Sequence, residues 1–138
     1  MSLELQDTTI FLDSNVVFSG LFVGSETRRL LVALKRKEYR LVINPYVQNE
    51  VHKNVVAKNP RLEEELRIVL AEIEKVPDAP LLHRVPLALT DKPVLGAALA
   101  CAADYLVTGN HRDFKHLYNT RVADTTIVST PTLARLLL

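Results

Sequence analysis

Short apolar runs without polar alternation recur along this chain, and between them the apolar positions fall into helical spacing. Thr8-Thr9-Ile10-Phe11-Leu12 is the first such run. An unbroken β-branched and apolar run suits a strand buried on both faces, as in a parallel sheet. Leu30, Leu31 and Leu34 share a helical face within Arg28 to Glu38, and Arg40-Leu41-Val42-Ile43 reads as a second strand. Pro45 stands where a helix opens, with Val47, Val51 and Val55 down one face. Leu62, Leu66, Val69, Ile73 and Val76 predict one more amphipathic helix. Pro77, Pro80 and Pro86 bracket a connection with an edge strand expected around Leu82. Asp91-Lys92-Pro93 begins a helix whose body, Val94 to Ala103, is almost wholly apolar and therefore central. Tyr105 to Thr108 predicts a strand ending at Gly109, Thr126-Ile127-Val128 a last strand, and Pro131 a closing helix. Short apolar strands alternating with helices argue for an α/β domain with a mostly parallel sheet. In such sheets ligands bind beyond the carboxyl ends of the strands, where the strand order reverses.

Composition narrows this picture. With 138 residues the chain is expected to form a single domain over 1–138. At 48% hydrophobic and 24% charged residues it has an ordinary globular composition, not a disordered or fibrous one. One cysteine, Cys101, excludes a disulfide framework and a thiolate zinc cluster, and fits a reducing, cytoplasmic setting. Inside an alanine-rich apolar helix it reads as plain core. No apolar run approaches the ~20 residues needed to span a bilayer, so no membrane partner is expected. Met1 to Asp7 has two acids and no basic residue, unlike a signal peptide. A net charge of +1 gives no global electrostatic case for a polyanion partner, which must rest on local clusters.

The informative polar residues sit where strands end. Asp13 directly follows the first strand and either caps the next turn or belongs to a site at the sheet rim. Glu50 borders the Val47, Val51, Val55 stripe, where an acid either pairs with a surface cation or turns toward a site. Asp91 opens the most apolar helix, a position that a helix end prefers for an acid in any case. Asp113 follows the Tyr105–Thr108 strand in a plausible first turn, while Asp104, at that strand's other end, reads as structural. Together Asp13, Asp91 and Asp113 would emerge at one sheet rim, with Glu50 offered from a helix nearby. Converging carboxylates repel, and a hard divalent cation keeps them together. The competing motifs are missing: there is no G-x-G-x-x-G, no G-x-x-x-x-G-K-[ST] and no G-x-S-x-G. His111 and His116, five apart, would need further partners to bind zinc.

These residues carry a resemblance. Phe11-Leu12-Asp13-Ser14-Asn15 resembles the opening motif of the PIN domain family: an apolar strand, Asp, a small hydroxyl residue and Asn. Asn44-Pro45-Tyr46-Val47-Gln48-Asn49-Glu50-Val51 is similar to its second motif, a strand end followed by a helix with a single Glu. Thr90-Asp91-Lys92-Pro93-Val94-Leu95-Gly96-Ala97 resembles the third, where an Asp opens an alanine-rich helix. Tyr105-Leu106-Val107-Thr108-Gly109-Asn110-His111-Arg112-Asp113 resembles the last, a strand with Thr-Gly and then an acid. The four stand in the same order from Ile10 to about Pro131, and within the family the chain resembles VapC-like toxin components of toxin–antitoxin pairs.

The resemblance implies a three-layer α/β/α sandwich with a mostly parallel sheet of four or five strands. It implies a single-strand-directed endoribonuclease that uses Mg²⁺ or Mn²⁺ held by Asp13, Glu50, Asp91 and Asp113. The chain departs from the pattern at one place, since many relatives have an acid directly after Thr-Gly and Asn110 stands there; Asp113 is the expected substitute. Ser14, Asn15, Thr108 and Asn110 are short hydrogen-bonding side chains suited to fixing carboxylates or water. Arg112 and Lys115 flank Asp113 and are expected to meet RNA phosphate. The basic run from Arg28 to Lys37 reads as a solvated face. Besides RNA, an antitoxin protein and a homo-oligomer are expected, the latter to cover Leu136-Leu137-Leu138. The competing reading is a catalytically weak PIN-like interaction module, which Asn110 favours and the acid set opposes. A phosphohydrolase of another α/β type would want a second Asp at position 15, where Asn15 stands.

Overall fold

A computed structural model describes residues 8–138, so the reading of Met1 to Asp7 lies outside the described residues. Six strands form one sheet: β1 (Thr9–Leu12), β2 (Arg40–Ile43), β3 (Glu74–Lys75), β4 (Tyr105–Val107), β5 (Arg121–Val122) and β6 (Thr125–Val128). Their order is β3-β2-β1-β4-β6-β5, with every pair parallel except β5 and β6. The expected four or five strands are therefore six among the described residues, because two-residue edges such as β3 and β5 leave no periodicity to read. Among the described residues seven α-helices accompany the sheet: α1 (Ser14–Ser19), α2 (Glu26–Arg36), α3 (Pro45–Lys58), α4 (Glu63–Leu70), α5 (Lys92–Ala100), α6 (His111–Phe114) and α7 (Thr130–Leu137).

The unbroken apolar run works as anticipated. Ile10, Phe11 and Leu12 are fully buried and β1 lies between β2 and β4. From β1 the chain steps outward to β2 and β3, then returns past β1 to β4 and continues to β6. Right-handed crossovers place α1 to α4 on one face and α5 and α6 on the other, which gives the three layers. The reversal falls between β1 and β4, so their carboxyl ends open the crevice where a ligand is expected.

Two expectations along the chain are corrected. The helix read from Leu62 to Val76 stops at Leu70, and β3 follows it. Ile73 and Val76 are buried, but as inward residues flanking an edge strand paired to Val42 and Ile43. No strand forms around Leu82, which is 84% exposed. Prolines 77, 80 and 86 lack the N–H that a ladder needs, so residues 76–91 run as an irregular strap instead. The strap lies directly on α5. A Cβ on Gly96 would sit 2.5 Å from the Ala79 carbonyl oxygen and 2.7 Å from Leu81 N, so only glycine admits this approach.

Candidate functional site

Asp13 is placed by β1 itself. Its N–H donates to Val107 O at 3.1 Å, which extends the β1–β4 ladder by one residue before α1 begins. The carboxylate is 3% exposed and accepts three hydrogen bonds: from Ser14 N at 2.7 Å, Thr108 Oγ1 at 2.7 Å and Asn15 Nδ2 at 3.3 Å. It occupies the N-cap of α1, so the capping expectation is met as well. Burial pushes its pKa above the usual carboxylate range, and these donors pull against that shift. Thr108, fully buried at the end of β4, thus ties the two strand ends together. Asn15 does the same from α1: its Oδ1 accepts from Gly109 N at 2.7 Å while its amide holds Asp13.

Glu50 comes from α3. Burial raises its carboxyl, the charge on Asp13 adds to this, and a Ser14 hydrogen bond and Lys53 offset part of it. Ser14 thereby links Asp13 and Glu50. Asp91 enters from the opposite face at the start of α5. It makes no capping hydrogen bond, and its buried Oδ2 has no hydrogen-bond partner. The N-cap explanation for this acid therefore fails. Burial first, then the Asp113 carboxyl within hydrogen-bonding reach, then the charges on Asp13 and Glu50, push its pKa up to about 7. Asp113 moves the opposite way, held below the usual range by Asp91 and by the Asn110 amide. The two carboxyls titrate as a coupled pair, Asp91 shifted up and Asp113 down. Asp91 thus feels all three of the other sequence-selected acids, Glu50 also feels Asp13, and Asp113 is coupled to Asp91.

Asn110 caps α6, not Asp113: its Oδ1 accepts from Asp113 N at 3.3 Å and its Nδ2 donates to Asp113 Oδ2 at 2.9 Å. The amide at the departing position orients the acid three residues on. Arg112 and Lys115, expected as a pair, part company. Arg112 Nε lies 3.8 Å from Asp113 Oδ1 on a side chain that is 93% exposed, whereas Lys115 lines a separate cleft with His111 and Tyr118. Asp104 is structural as anticipated, accepting from Thr9 N at 2.8 Å.

Three supports were missed. Asn44 is fully buried; its Oδ1 accepts from Val47 N and its Nδ2 donates to Pro93 O, so one side chain fixes the starts of both α3 and α5. Tyr46 Oη donates to Thr90 O at 2.8 Å, and the acids Glu50, Asp91 and Asp13 reinforce the upward shift that burial gives its phenol. Tyr118 Oη donates to Thr108 O at 2.9 Å. Asn44 was findable as an Asn-Pro helix opening; no local signal marks the tyrosines.

Among the described residues, no group of three or more His, Cys, Asp or Glu side chains forms a ready-made metal site. The donor set nonetheless fits a hard cation. Mg²⁺ is held by one or two carboxylates together with waters and substrate phosphates, not by an all-protein cage. Asp91 supplies a buried carboxylate oxygen without a partner beside three more acids.

The PIN domain family model matches residues 9–112. Among solved structures, the chain is similar to VapBC2 from Rickettsia felis bound to a DNA fragment from their promoter, with a TM-score of 0.68, 18% identity, and coverage of 88% of this chain and 98% of that one. It is also similar to VapBC-1 from nontypeable Haemophilus influenzae, with a TM-score of 0.59, 12% identity, and coverage of 90% and 99%. At these identities the likeness is one of fold. No curated protein sequence matches.

Proposed function

The chain belongs to the PIN domain family, and on that premise we propose that it is a divalent-metal-dependent endoribonuclease acting on single-stranded RNA, the toxin of a toxin–antitoxin pair. One observation carries the reading: beside the strand-order reversal, Asp91 presents a buried carboxylate oxygen without a hydrogen-bond partner and feels the charges of Asp113, Asp13 and Glu50. A structural cluster would have no reason to leave that oxygen bare. Two solved neighbours are toxin–antitoxin complexes by name, which supports an antitoxin protein as partner.

Asp13, Asp91 and Asp113 would hold Mg²⁺ or Mn²⁺, with Glu50 completing the set. When bound, the ion supplies Lewis acidity at a phosphoryl oxygen and makes its coordinated water more acidic. The chain's own residues do the rest. Thr108, Ser14 and Asn15 keep Asp13 in one rotamer and favour its charged form. Asn110 aims Asp113 at Asp91, and Asp91 must give up its proton before its oxygen can serve as a ligand. Tyr46 and Asn44 anchor the chain on either side of Asp91. Exposed Arg112, beside Asp113, is placed to meet a phosphate of the approaching strand.

The test is cleavage of an unstructured RNA with Mg²⁺ or Mn²⁺, against EDTA and against Asp91→Asn. Metal-dependent cleavage that Asp91→Asn abolishes is expected. Full cleavage in EDTA, or by Asp91→Asn, would refute the reading. No cleavage by the wild type with either metal would favour the weakened interaction module.

A further inference from the structure

Beside the acid crevice lies a second cleft, of about 480 Å³, lined by His111, Lys115, Tyr118, Asn119, Ser129 and Thr132. That volume falls within the roughly 300–1,000 Å³ of small-ligand sites. Its walls come from the carboxyl ends of β4 and β6 and the segments that follow them, the same sheet rim that carries Asp13. The two sites share a wall. Tyr118 donates its hydroxyl to Thr108 O, and Thr108 in turn holds Asp13.

The lining contrasts sharply with the neighbouring crevice. It contains no carboxylate, two groups that can carry positive charge, one aromatic ring and three neutral hydrogen-bonding side chains. The Tyr118 ring is held in place: its hydroxyl is committed to Thr108, and it packs in a T-shaped pair with His111, ring centroids 5.4 Å apart. A ring held this way offers a face for a base, since every base can stack on it whatever its identity. Lys115 and His111 can meet phosphate, and the Asn119 amide suits a sugar hydroxyl or base edge, while Ser129 and Thr132 form a polar wall whose hydroxyls already bond each other at the start of α7. A polyanion approaching four carboxylates is repelled by them, so its neighbouring phosphates need cations close by.

We propose that this cleft is a nucleotide subsite, which binds the base and phosphate of a nucleotide flanking the bond to be cut and holds the strand against the acid crevice. The inference rests on the ribonuclease reading for its place in the reaction, but the binding itself requires no metal.

The experiment is a titration of ¹⁵N-labelled protein in EDTA with adenosine 5′-monophosphate, with inorganic phosphate and adenosine as separate probes. Amide shifts should concentrate at His111, Lys115, Tyr118, Asn119, Ser129 and Thr132, and the nucleotide should bind more tightly than either half. The double variant His111→Ala/Lys115→Ala replaces exposed side chains and should weaken nucleotide binding by about tenfold, the scale of a lost charge-assisted contact. Tyr118→Leu should abolish the advantage of nucleotide over phosphate, whereas Tyr118→Phe, which keeps the ring, should retain it. In RNA cleavage the double variant should raise KM, while Arg36→Ala, an exposed cation on α2, should not. Shifts elsewhere, phosphate binding as tightly as the nucleotide, or a double variant with wild-type affinity would overturn the subsite. Cleavage with normal KM in the double variant would overturn it while leaving the ribonuclease reading intact. Nucleotide binding in this cleft by a protein that cleaves nothing would uphold the subsite and refute the ribonuclease reading.

Discussion

Replacing Thr108 by valine removes one oxygen and little volume, yet it cuts the link that holds the site together. Thr108 Oγ1 donates to Asp13 Oδ2 at 2.7 Å and accepts from Asn110 N at 3.1 Å. A hydrogen bond to a charged group contributes about 1.5–3 kcal/mol, and the Asn110 N–H left behind costs about 1 kcal/mol more if water cannot reach it. Relaxation recovers part of this, so a net loss of about 2–3 kcal/mol is expected near pH 8. For a chain of this size that lowers the melting temperature by roughly 6–15 °C. The loss should depend on pH, and its sign follows from Asp13. Burial already holds that carboxyl above its usual range, and removing a donor to the charged form raises it further. The folded variant then keeps a proton that the unfolded chain has released, over a wider window above the ordinary carboxylate range. Its stability relative to wild type therefore falls as pH rises through that window. Thermal unfolding of metal-free protein at pH 5 and pH 8 reads this directly, and Thr108→Ser should restore both values. A deficit of equal size at both pH values would refute the argument, because the bond would not be one made to the charged carboxylate. The concentration of Mn²⁺ needed for half-maximal cleavage should also rise in the variant.

Four further outcomes are expected. Because Asp91 is pushed up to about 7, the metal-free protein should lose stability as pH rises from about 4 through 7, and Mg²⁺ should restore it above 7; calorimetry with and without the ion checks this, and Asp91→Asn should flatten the profile. Asp113→Asn should reduce metal-dependent cleavage by about 10–100-fold, and full activity would remove Asp113 from the site. Asn110→Asp takes away the amide that donates to Asp113 Oδ2 and sets a like charge there, so its melting temperature without metal should fall and its gain on adding Mg²⁺ should exceed that of wild type. Gly96→Ala brings a Cβ against the backbone of Ala79, Pro80 and Leu81; the overpacking costs about 1–3 kcal/mol, the better helix propensity offsets about 1 kcal/mol, and a melting temperature at or above wild type would show that the strap yields freely.

Elements that carry their own signal were legible. The β1 run and the Val47, Val51, Val55 stripe stand where their periodicity put them, because burial on one or both faces dictates composition directly. The apolar α5 opens where expected but ends at Ala100 instead of Ala103, since the helix stop carries no such signal. The four acids proposed for the site were legible by position: Asp13 directly follows β1, Asp91 directly precedes α5, Glu50 borders the α3 stripe and Asp113 follows β4 within the short α6. What escaped notice depends on contacts distant in sequence. Ile73 and Val76 fit a helical face and an edge strand equally well, and only pairing with Val42 and Ile43 decides between them. Tyr46 and Tyr118 matter because of the carbonyls they reach, 44 and 10 residues away. Lys115 stands two residues from Asp113, yet the turn after α6 directs it into a different cleft.

The two central acids are prepared in opposite ways, and the difference says which of them responds to a ligand. Asp13 is satisfied before anything binds: two donors from α1 and one from Thr108 at the end of β4 surround it, and its position is fixed by the same ladder that forms the sheet. Asp91 is left short of partners. It has a buried bare oxygen, a proton retained near neutrality, and a carbonyl-anchored strap as its approach. A cation entering the crevice therefore changes little at Asp13 and much at Asp91, where it replaces the proton and satisfies the oxygen together. Proton release on metal binding should accordingly fall far more in Asp91→Asn than in Thr108→Val, a contrast that buffer-dependent calorimetry of Mn²⁺ binding can measure. Equal proton release in both variants would mean that the charge adjustment is spread over the whole cluster and that the unpartnered oxygen is not its focus.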